Sequence, residues 1–263
     1  MKYVVVTGAY GGMGKAVTEK LAKTGFFVFA LDKKVDKQQQ NVMPIEVDLT
    51  DEKSVINATE IIKSITDNLY AVLHFAGIYS LDSLVEIDEE RFLRIFNVNL
   101  FGAYRINKAL FPLLKPNSRI IITTSELATL SPLPFTGIYA ITKIALDKYA
   151  YSLRMEAQVL GIKVSVLRPG AVDTGMISVS TLELDKFCKR TSYYKVNASR
   201  FKKIVDKVET RKVSPDKIAN KTLKILTAKR PKQSYKINRN KLLLLLNAMP
   251  KKLQTSVIKK VIK

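Results

Sequence analysis

Cysteine and histidine are nearly absent from this chain of 263 residues, which holds one of each, Cys188 and His74. A single cysteine excludes an internal disulfide and fits a reducing, cytoplasmic interior. So few ligating side chains leave nothing for a zinc cluster or a histidine-based triad, and no metal is expected. Bilayer-spanning runs are missing too: Leu242–Leu246 is far shorter than the about 20 apolar residues a membrane helix needs. Met1 leads straight into strand-like residues, so no signal peptide is expected. Acidic residues are scarce at one end. Residues 1–185 balance 20 Lys and Arg against 20 Asp and Glu, whereas residues 186–263 hold 24 against 3 and carry the whole net charge of +21. That asymmetry suits contact with something anionic or, equally, a solvated lysine-rich face.

The length and the hydrophobic content of 47% suit one large α/β domain. Strand-like apolar runs at 2–6, 27–31, 44–47, 69–74, 119–124, 163–167 and 234–237 alternate with amphipathic stretches at 14–24, 51–65, 89–114, 137–160 and 215–228. Thr50 and Ser214 stand ahead of acidic first turns as capping hydroxyls. Strands apolar on both faces and joined through helices predict a doubly wound, mostly parallel sheet, with ligands at the strands' carboxyl ends. Residues 174–212 break the alternation and scatter Met176, Phe187, Tyr193, Tyr194 and Phe201. They read as a helical lid over substrate or as a helical hairpin packed on the domain. The expected organisation is a catalytic domain over 1–240 and a basic amphipathic extension over 241–263.

Thr7-Gly8-Ala9-Tyr10-Gly11-Gly12-Met13-Gly14 lies between the first strand and the first helix. Glycine raises the entropy cost of folding, so a ligand that approaches the backbone closely is the expected compensation. A pyrophosphate fits, since a helix N-terminus offers unpaired N–H groups. Asp32 ends the second strand, where its carboxylate would accept hydrogen bonds from adenosine ribose hydroxyls. A 2′-phosphate beside it would be repelled by up to about 4 kcal/mol per charge pair. NAD is therefore favoured, while Lys33 and Lys34 keep NADP open.

The TGxxxGxG spacing, with further motifs in order along almost the whole chain, resembles the short-chain dehydrogenase/reductase family. Asp48 in VDLT, Ala76-Gly77 in HFAG, Asn99 in NVNLFG and Ser125 in TTSE carry the likeness, with Tyr139 and Lys143 in YAITK and Pro169-Gly170 through Thr174 in RPGAVDT. The resemblance implies a Rossmann-type fold, an NAD(P)-dependent oxidoreductase, and a homo-dimer or tetramer assembled through 89–114 and 137–160. It implies cofactor contacts from Gly8, Tyr10, Gly12, Met13, Gly14, Asp32, Asp48 and Leu49, and from Ala76, Gly77, Pro169, Gly170, Val172 and Thr174. Asn99 would hold a water that relays protons to Lys143. Three departures stand out. His74 and Phe75 replace the asparagines of the family's NNAG. Ser125 precedes Tyr139 by 14 residues, which keeps Thr124 as an alternative, and Glu126 follows Ser125 where a small residue is usual. His74 reads as a strand-end residue satisfied by backbone.

Tyrosine has a reference pKa of about 10 and becomes a useful acid–base group near a cation that stabilises the phenolate. Tyr139 and Lys143 stand four apart on a predicted helix and so share a face. Tyr139 would pass a proton to or from the substrate oxygen while Ser125 orients that oxygen. Lys143 would reach both the phenol and the nicotinamide ribose, so Tyr139 and Lys143 also count as cofactor contacts.

Beyond Pro250, a helix would place Leu253, Val257, Ile258 and Val261 on one side and Lys252, Lys259 and Lys263 on the other. Such a helix suits peripheral binding to an anionic membrane surface. Packing on the core or on a second subunit is the alternative, and nucleic acid is disfavoured because no recognised nucleic-acid module accompanies the charge. The tail and the aromatic lid loosely resemble the family's hydroxysteroid and retinol dehydrogenases. That likeness implies a hydrophobic secondary alcohol or ketone, steroid- or lipid-like, as substrate. Two other readings stand beside it: a 3-oxoacyl-carrier-protein reductase using NADPH, and a catalytically silent dinucleotide-sensing or membrane-binding protein.

Overall fold

The apolar runs form strands where their composition places them. In the computed structural model these are β1 (Lys2–Thr7), β2 (Phe26–Asp32), β3 (Val42–Glu46), β4 (Leu69–His74), β5 (Leu114–Thr123), β6 (Lys163–Pro169) and β7 (Ser234–Ile237). The structure describes residues 1–209 and 212–263, without the side chains of 176–180 and 207–209. The Met176 side chain and positions 210 and 211 of the expected lid thus lie outside what the structure describes. Among the described residues the strands make one parallel sheet in the order β3-β2-β1-β4-β5-β6-β7. The order reverses between β1 and β4, which opens a crevice beyond their carboxyl ends.

The helices are α1 (Gly12–Lys23), α2 (Glu52–Lys63), α3 (Glu89–Phe96), α4 (Gly102–Leu110), α5 (Gly137–Ala157), α6 (Gly175–Arg190), α7 (Lys195–Glu209), α8 (Pro215–Thr227), α9 (Lys241–Ala248) and α10 (Lys251–Ile262). Both sheet faces are covered, so the central strands tolerate no polar alternation. One face buries Val55, Ile62, Ile106, Leu110, Leu146 and Ala150 of α2, α4 and α5. The other buries Val17 and Leu21 of α1 with Ile218 and Leu226 of α8. Capping differs in detail from the expectation. Asp51 caps α2 by accepting from Lys53 N at 3.0 Å, while the Thr50 hydroxyl donates to Asp48 Oδ1 at 2.7 Å. Ser214 starts α8 without a side-chain capping bond.

The stretch 89–114 is not one helix. A π-helical turn, Asn97–Phe101, separates α3 from α4, and a 3₁₀ turn leads into β5, which begins at Leu114 rather than near 119. The wide turn directs Asn99 inward. The expected lid is a docked hairpin: Phe135 packs its ring against Phe187 of α6 and Tyr194 and Phe201 of the α7 region at centroid distances of 5.0, 5.4 and 5.5 Å. Fully buried Asp82 pairs with Arg91 and with Arg190 of α6, pinning the hairpin to the loop after β4.

Helix α5 is keyed to β6 by a two-pronged pair. Arg168 Nε and Nη2 donate to the two oxygens of Asp147, each at 2.8 Å, and both side chains are largely buried. Asp147→Ala leaves the guanidinium without its partner, and the expected cost is about 3–5 kcal/mol, read as a lower urea midpoint with an unchanged slope.

Candidate active site

The crevice at the β1/β4 reversal is a cleft of about 900 Å³ lined by Gly8, Tyr10, Gly12, Met13, Gly14, Asp32 and Asp48, and by Leu49, Ala76, Gly77 and Thr174. Its floor is backbone meeting backbone. Gly8 has φ +67°, and a Cβ there would lie 2.5 Å from Ala76 N; one on Gly14 would lie 1.9 Å from Gly8 O, and one on Gly12 2.5 Å from Thr174 Cβ. These three glycines are thus required by the chain's own packing, before any ligand is considered. Helix α1 starts at this floor with no side-chain cap, which leaves its first-turn N–H groups to face an anion.

Asp32 is held at the end of β2 by two backbone donors, Tyr10 N to Oδ2 at 2.9 Å and Lys33 N to Oδ1 at 2.8 Å. Lys33 turns its ammonium to Asp48 Oδ2 at 2.5 Å. That bond and those from Thr50 hold the Asp48 carboxyl down at about 2. A cradle too tight for side chains, unfilled helix donors and a fixed carboxylate fit the two phosphates and the adenosine ribose of a dinucleotide.

Met13, Gly77 and Thr174 also line a second, largely apolar pocket of about 200 Å³, so the two spaces adjoin. Ser125, Tyr139, Lys143, Pro169, Gly170 and Val172 meet in it. Tyr139 is hydrogen-bonded to Ser125, whose Oγ also accepts from Leu127 N at 3.2 Å. Thr124 points elsewhere, donating to Asp147 Oδ1 at 3.2 Å, so Ser125 is the hydroxyl that faces the phenol. Asn99 stays behind the pocket wall. Its amide grips both backbone groups of Ile78, at 2.8 and 3.0 Å, and donates to Thr142 Oγ1 at 3.0 Å. A Cβ on Gly77 would sit 3.2 Å from Asn99 Oδ1 and 3.3 Å from Lys143 Nζ, so both side chains converge over that glycine.

The electrostatics differ from the expectation of a phenol brought towards neutrality. Burial pushes Tyr139 up to about 12, with its Ser125 hydrogen bond opposing, and burial brings Lys143 down to about 8. The ammonium lies over the ring, 5.7 Å from its centroid, and donates to Thr123 O at 3.4 Å, not to the phenol oxygen. His74 also departs from its reading. It is buried and pairs with the Asn107 side chain at 2.9 Å, not with backbone, and burial holds its pKa down at about 4.

Among the pocket residues that the sequence did not mark as part of the site are Tyr79, Glu126 and Leu243. Tyr79 packs on Tyr139 at 4.4 Å between ring centroids, and only its place after the Ala76-Gly77 motif could have flagged it. Glu126 lines the pocket beside Ser125, and Leu243 closes it from α9. The tail is joined to the loop after Ser125. Asn240 N donates to Glu126 Oε2 at 2.7 Å, Ser131 N to Asn247 Oδ1 at 2.8 Å, and Arg239 to Thr129 Oγ1 at 3.2 Å. Helix α10 lies against α7, with Asn197 Nδ2 donating to Ile262 O at 2.7 Å. Its buried contact is Gln254, with Val257 and Ile258 half-buried, whereas Leu253 and Val261 of the expected apolar stripe face outward. Among the described residues no helix is long and apolar enough to cross a membrane.

The family model for short chain dehydrogenase matches residues 2–184. The oxidoreductase YbbO of Escherichia coli is 30% identical over 244 residues, covering 90% of this chain and 85% of its own. A 3-ketodihydrosphingosine reductase of Bacteroides thetaiotaomicron is 28% identical over 229 residues, 87% of this chain and 84% of its own. Among solved structures, a 3-ketoacyl-(acyl-carrier-protein) reductase of Brucella melitensis complexed with NADH superposes with TM-score 0.73 at 20% identity, over 89% of this chain and 96% of its own.

The depressed Lys143 pKa has a sign that can be checked. Folded near 8 against 10.5 when unfolded, Lys143 makes the unfolded chain bind more protons between those values, so stability rises with pH across that window. Tyr139, raised from 10.0 to about 12, opposes the rise only above pH 10. Lys143→Met should therefore be more stable than the parent below pH 8 and lose that advantage by pH 10, measured as melting temperatures of both proteins without cofactor.

Proposed function

The chain belongs to the short chain dehydrogenase family, an oxidoreductase family using NAD or NADP, and from that premise we propose that it interconverts a hydrophobic, lipid- or steroid-like ketone and its secondary alcohol. The observation that carries this reading is the meeting of Ser125, Tyr139 and Lys143 in an apolar pocket that adjoins the dinucleotide cleft. When bound, the nicotinamide exchanges a hydride with the substrate carbon. Ser125 holds the substrate oxygen, and Tyr139 donates its proton to that oxygen as the ketone is reduced. A phenol kept protonated by burial suits that direction, and a relative named as a ketone reductase agrees with it. Lys143 provides the charge that steadies the phenolate left behind. NAD is the favoured cofactor, because Asp32 faces the ribose end of the cleft and Lys33 is engaged by Asp48.

The test is a fluorescence titration with NADH and NADPH, followed by NADH oxidation with a panel of apolar ketones. Tighter NADH binding and turnover are expected, and Tyr139→Phe should lower kcat by about 10²–10⁴-fold with NADH affinity kept. Preference for NADPH with salt-dependent binding of an acidic carrier protein would favour the 3-oxoacyl-carrier-protein reductase reading. Binding without turnover of any ketone would favour a silent sensor.

Two partner surfaces go with this reading. Tyr104, Tyr151 and Met155 of α4 and α5, with Phe101 before them, are exposed apolar side chains suited to a second copy of the chain. Leu242, Leu245, Leu253 and Val261 are exposed on the tail among six lysines and no acidic residue, which suits peripheral binding to anionic lipid. Co-sedimentation with phosphatidylserine vesicles, absent with phosphatidylcholine and lost in Leu242→Ser/Leu245→Ser, is the expected outcome.

A further inference from the structure

Phe135 has φ +63°, and among the described residues every other position with positive φ is a glycine or an asparagine. A bulky side chain is costly in that conformation, which persists only where the surroundings over-determine it. Three sets of contacts do so here. From the loop after β4, Asp82 N donates to Phe135 O at 2.8 Å. The turn just before α5 closes on Thr136, whose Oγ1 donates to Leu133 O at 2.9 Å and accepts from Leu133 N at 3.1 Å. The buried ring lies in a small apolar cluster with Leu81, Leu184, Phe187 and Phe201, distinct from the cores on the two sheet faces. Its centroid is 5.0 Å from that of Phe187 and 5.5 Å from that of Phe201.

The start of α5 is what these contacts hold. That helix begins without a side-chain cap, and an uncapped first turn relies on contacts from outside the helix. Tyr139 stands in that first turn. The ion pair of Asp147 with Arg168 grips α5 more than two turns further along. Nearer the phenol, Phe135 joins the turn through Thr136 and is itself gripped by Asp82 on the backbone and by the α6–α7 hairpin on the ring. Phe135 and Phe187 do not line the apolar pocket, whereas Leu133, Thr136 and Phe201 do. One strained residue thus ties the wall of the pocket to the turn that carries the phenol. A residue needed only to fill the cluster could do so from a relaxed backbone. Resting on the reading of Tyr139 as the proton donor, we propose that Phe135 is a positioning residue, through which the docked hairpin sets the Tyr139 hydroxyl beside Ser125.

The experiment measures reduction of octan-2-one by NADH, NADH affinity by fluorescence, and amide exchange along α5 by mass spectrometry, for the parent, Phe135→Ala and Phe187→Ala. Both variants should lose about 100-fold in kcat, the cost of misplacing a reacting group by about an ångström, with NADH affinity kept. Exchange at amides 140–143 should quicken about tenfold in both, while exchange further along α5 holds. An unchanged kcat, or a loss confined to KM, would overturn the proposal and leave Phe135 a packing residue of the pocket wall. Phe187→Ala leaves the strained turn itself intact, so it carries the same test should Phe135→Ala not fold. If the parent reduces no ketone, the reductase reading falls and exchange decides alone: quickened exchange at 140–143 keeps the positioning role, and unchanged exchange removes it.

Discussion

Backbone pressed on backbone at the carboxyl end of β1 is the constraint from which the site follows. The glycine turn, the loop after β4 and the loop after β6 meet there, through Gly8 on Ala76, Gly14 on Gly8 and Gly12 on Thr174. Gly8 and Gly14 meet backbone directly and Gly12 meets the Thr174 side chain, so the start of α1, the Ala76-Gly77 loop and Thr174 are closely packed on one another. The cleft and the apolar pocket share those same residues as a boundary. A ligand lying across that boundary is held by the sheet's own connectivity rather than by a mobile segment.

The reactive groups are placed by a second set of fixed contacts. Asp147 and Arg168 key α5 to β6, which sets the height of Tyr139 and Lys143 above the sheet. The π-helical turn brings Asn99 under Gly77, where its amide grips Ile78 and Thr142. Burial then acts on both titrating residues in the same sense, keeping the phenol protonated and the lysine easier to discharge. The phenol is thus neutral beside a lysine that, at about 8, still carries its charge at neutral pH, and that charge steadies the phenolate as proton transfer creates it.

Strands and most helices were legible because a sheet covered on both faces writes itself as apolar runs, and the runs at 2–6, 69–74 and 163–167 match β1, β4 and β6 closely. The glycine turn and Asp32 were placed by their positions at strand ends, and Ser125, Tyr139 and Lys143 by the family resemblance; the structure gathers the first set at the cleft and the second at the pocket. The break inside 89–114 was not, since a π-helical turn is one extra residue of winding and carries no glycine or proline at its centre. The glycines were read as room for a ligand, whereas Gly8 and Gly12 are demanded first by neighbouring loops and Gly14 by the turn itself. The tail shows the limit most clearly. Periodicity reports that α10 has an apolar side, but not that Gln254 is buried while Leu253 stays exposed. For the same reason Leu243 looked like part of an appendage, and Glu126 like a loop anomaly.

That docking places part of the substrate wall at the far end of the chain. The cradle and the reactive side chains are complete by Thr174, whereas Leu243 and the Asn240 and Asn247 contacts to the 126–131 loop come about 70 residues later. During synthesis, which releases amino-terminal segments first, the residues that line the nucleotide cradle emerge before those that close the neighbouring pocket. The helix that backs the cradle, α1, packs on the late α8, so cradle and pocket wait alike on the last third of the polypeptide.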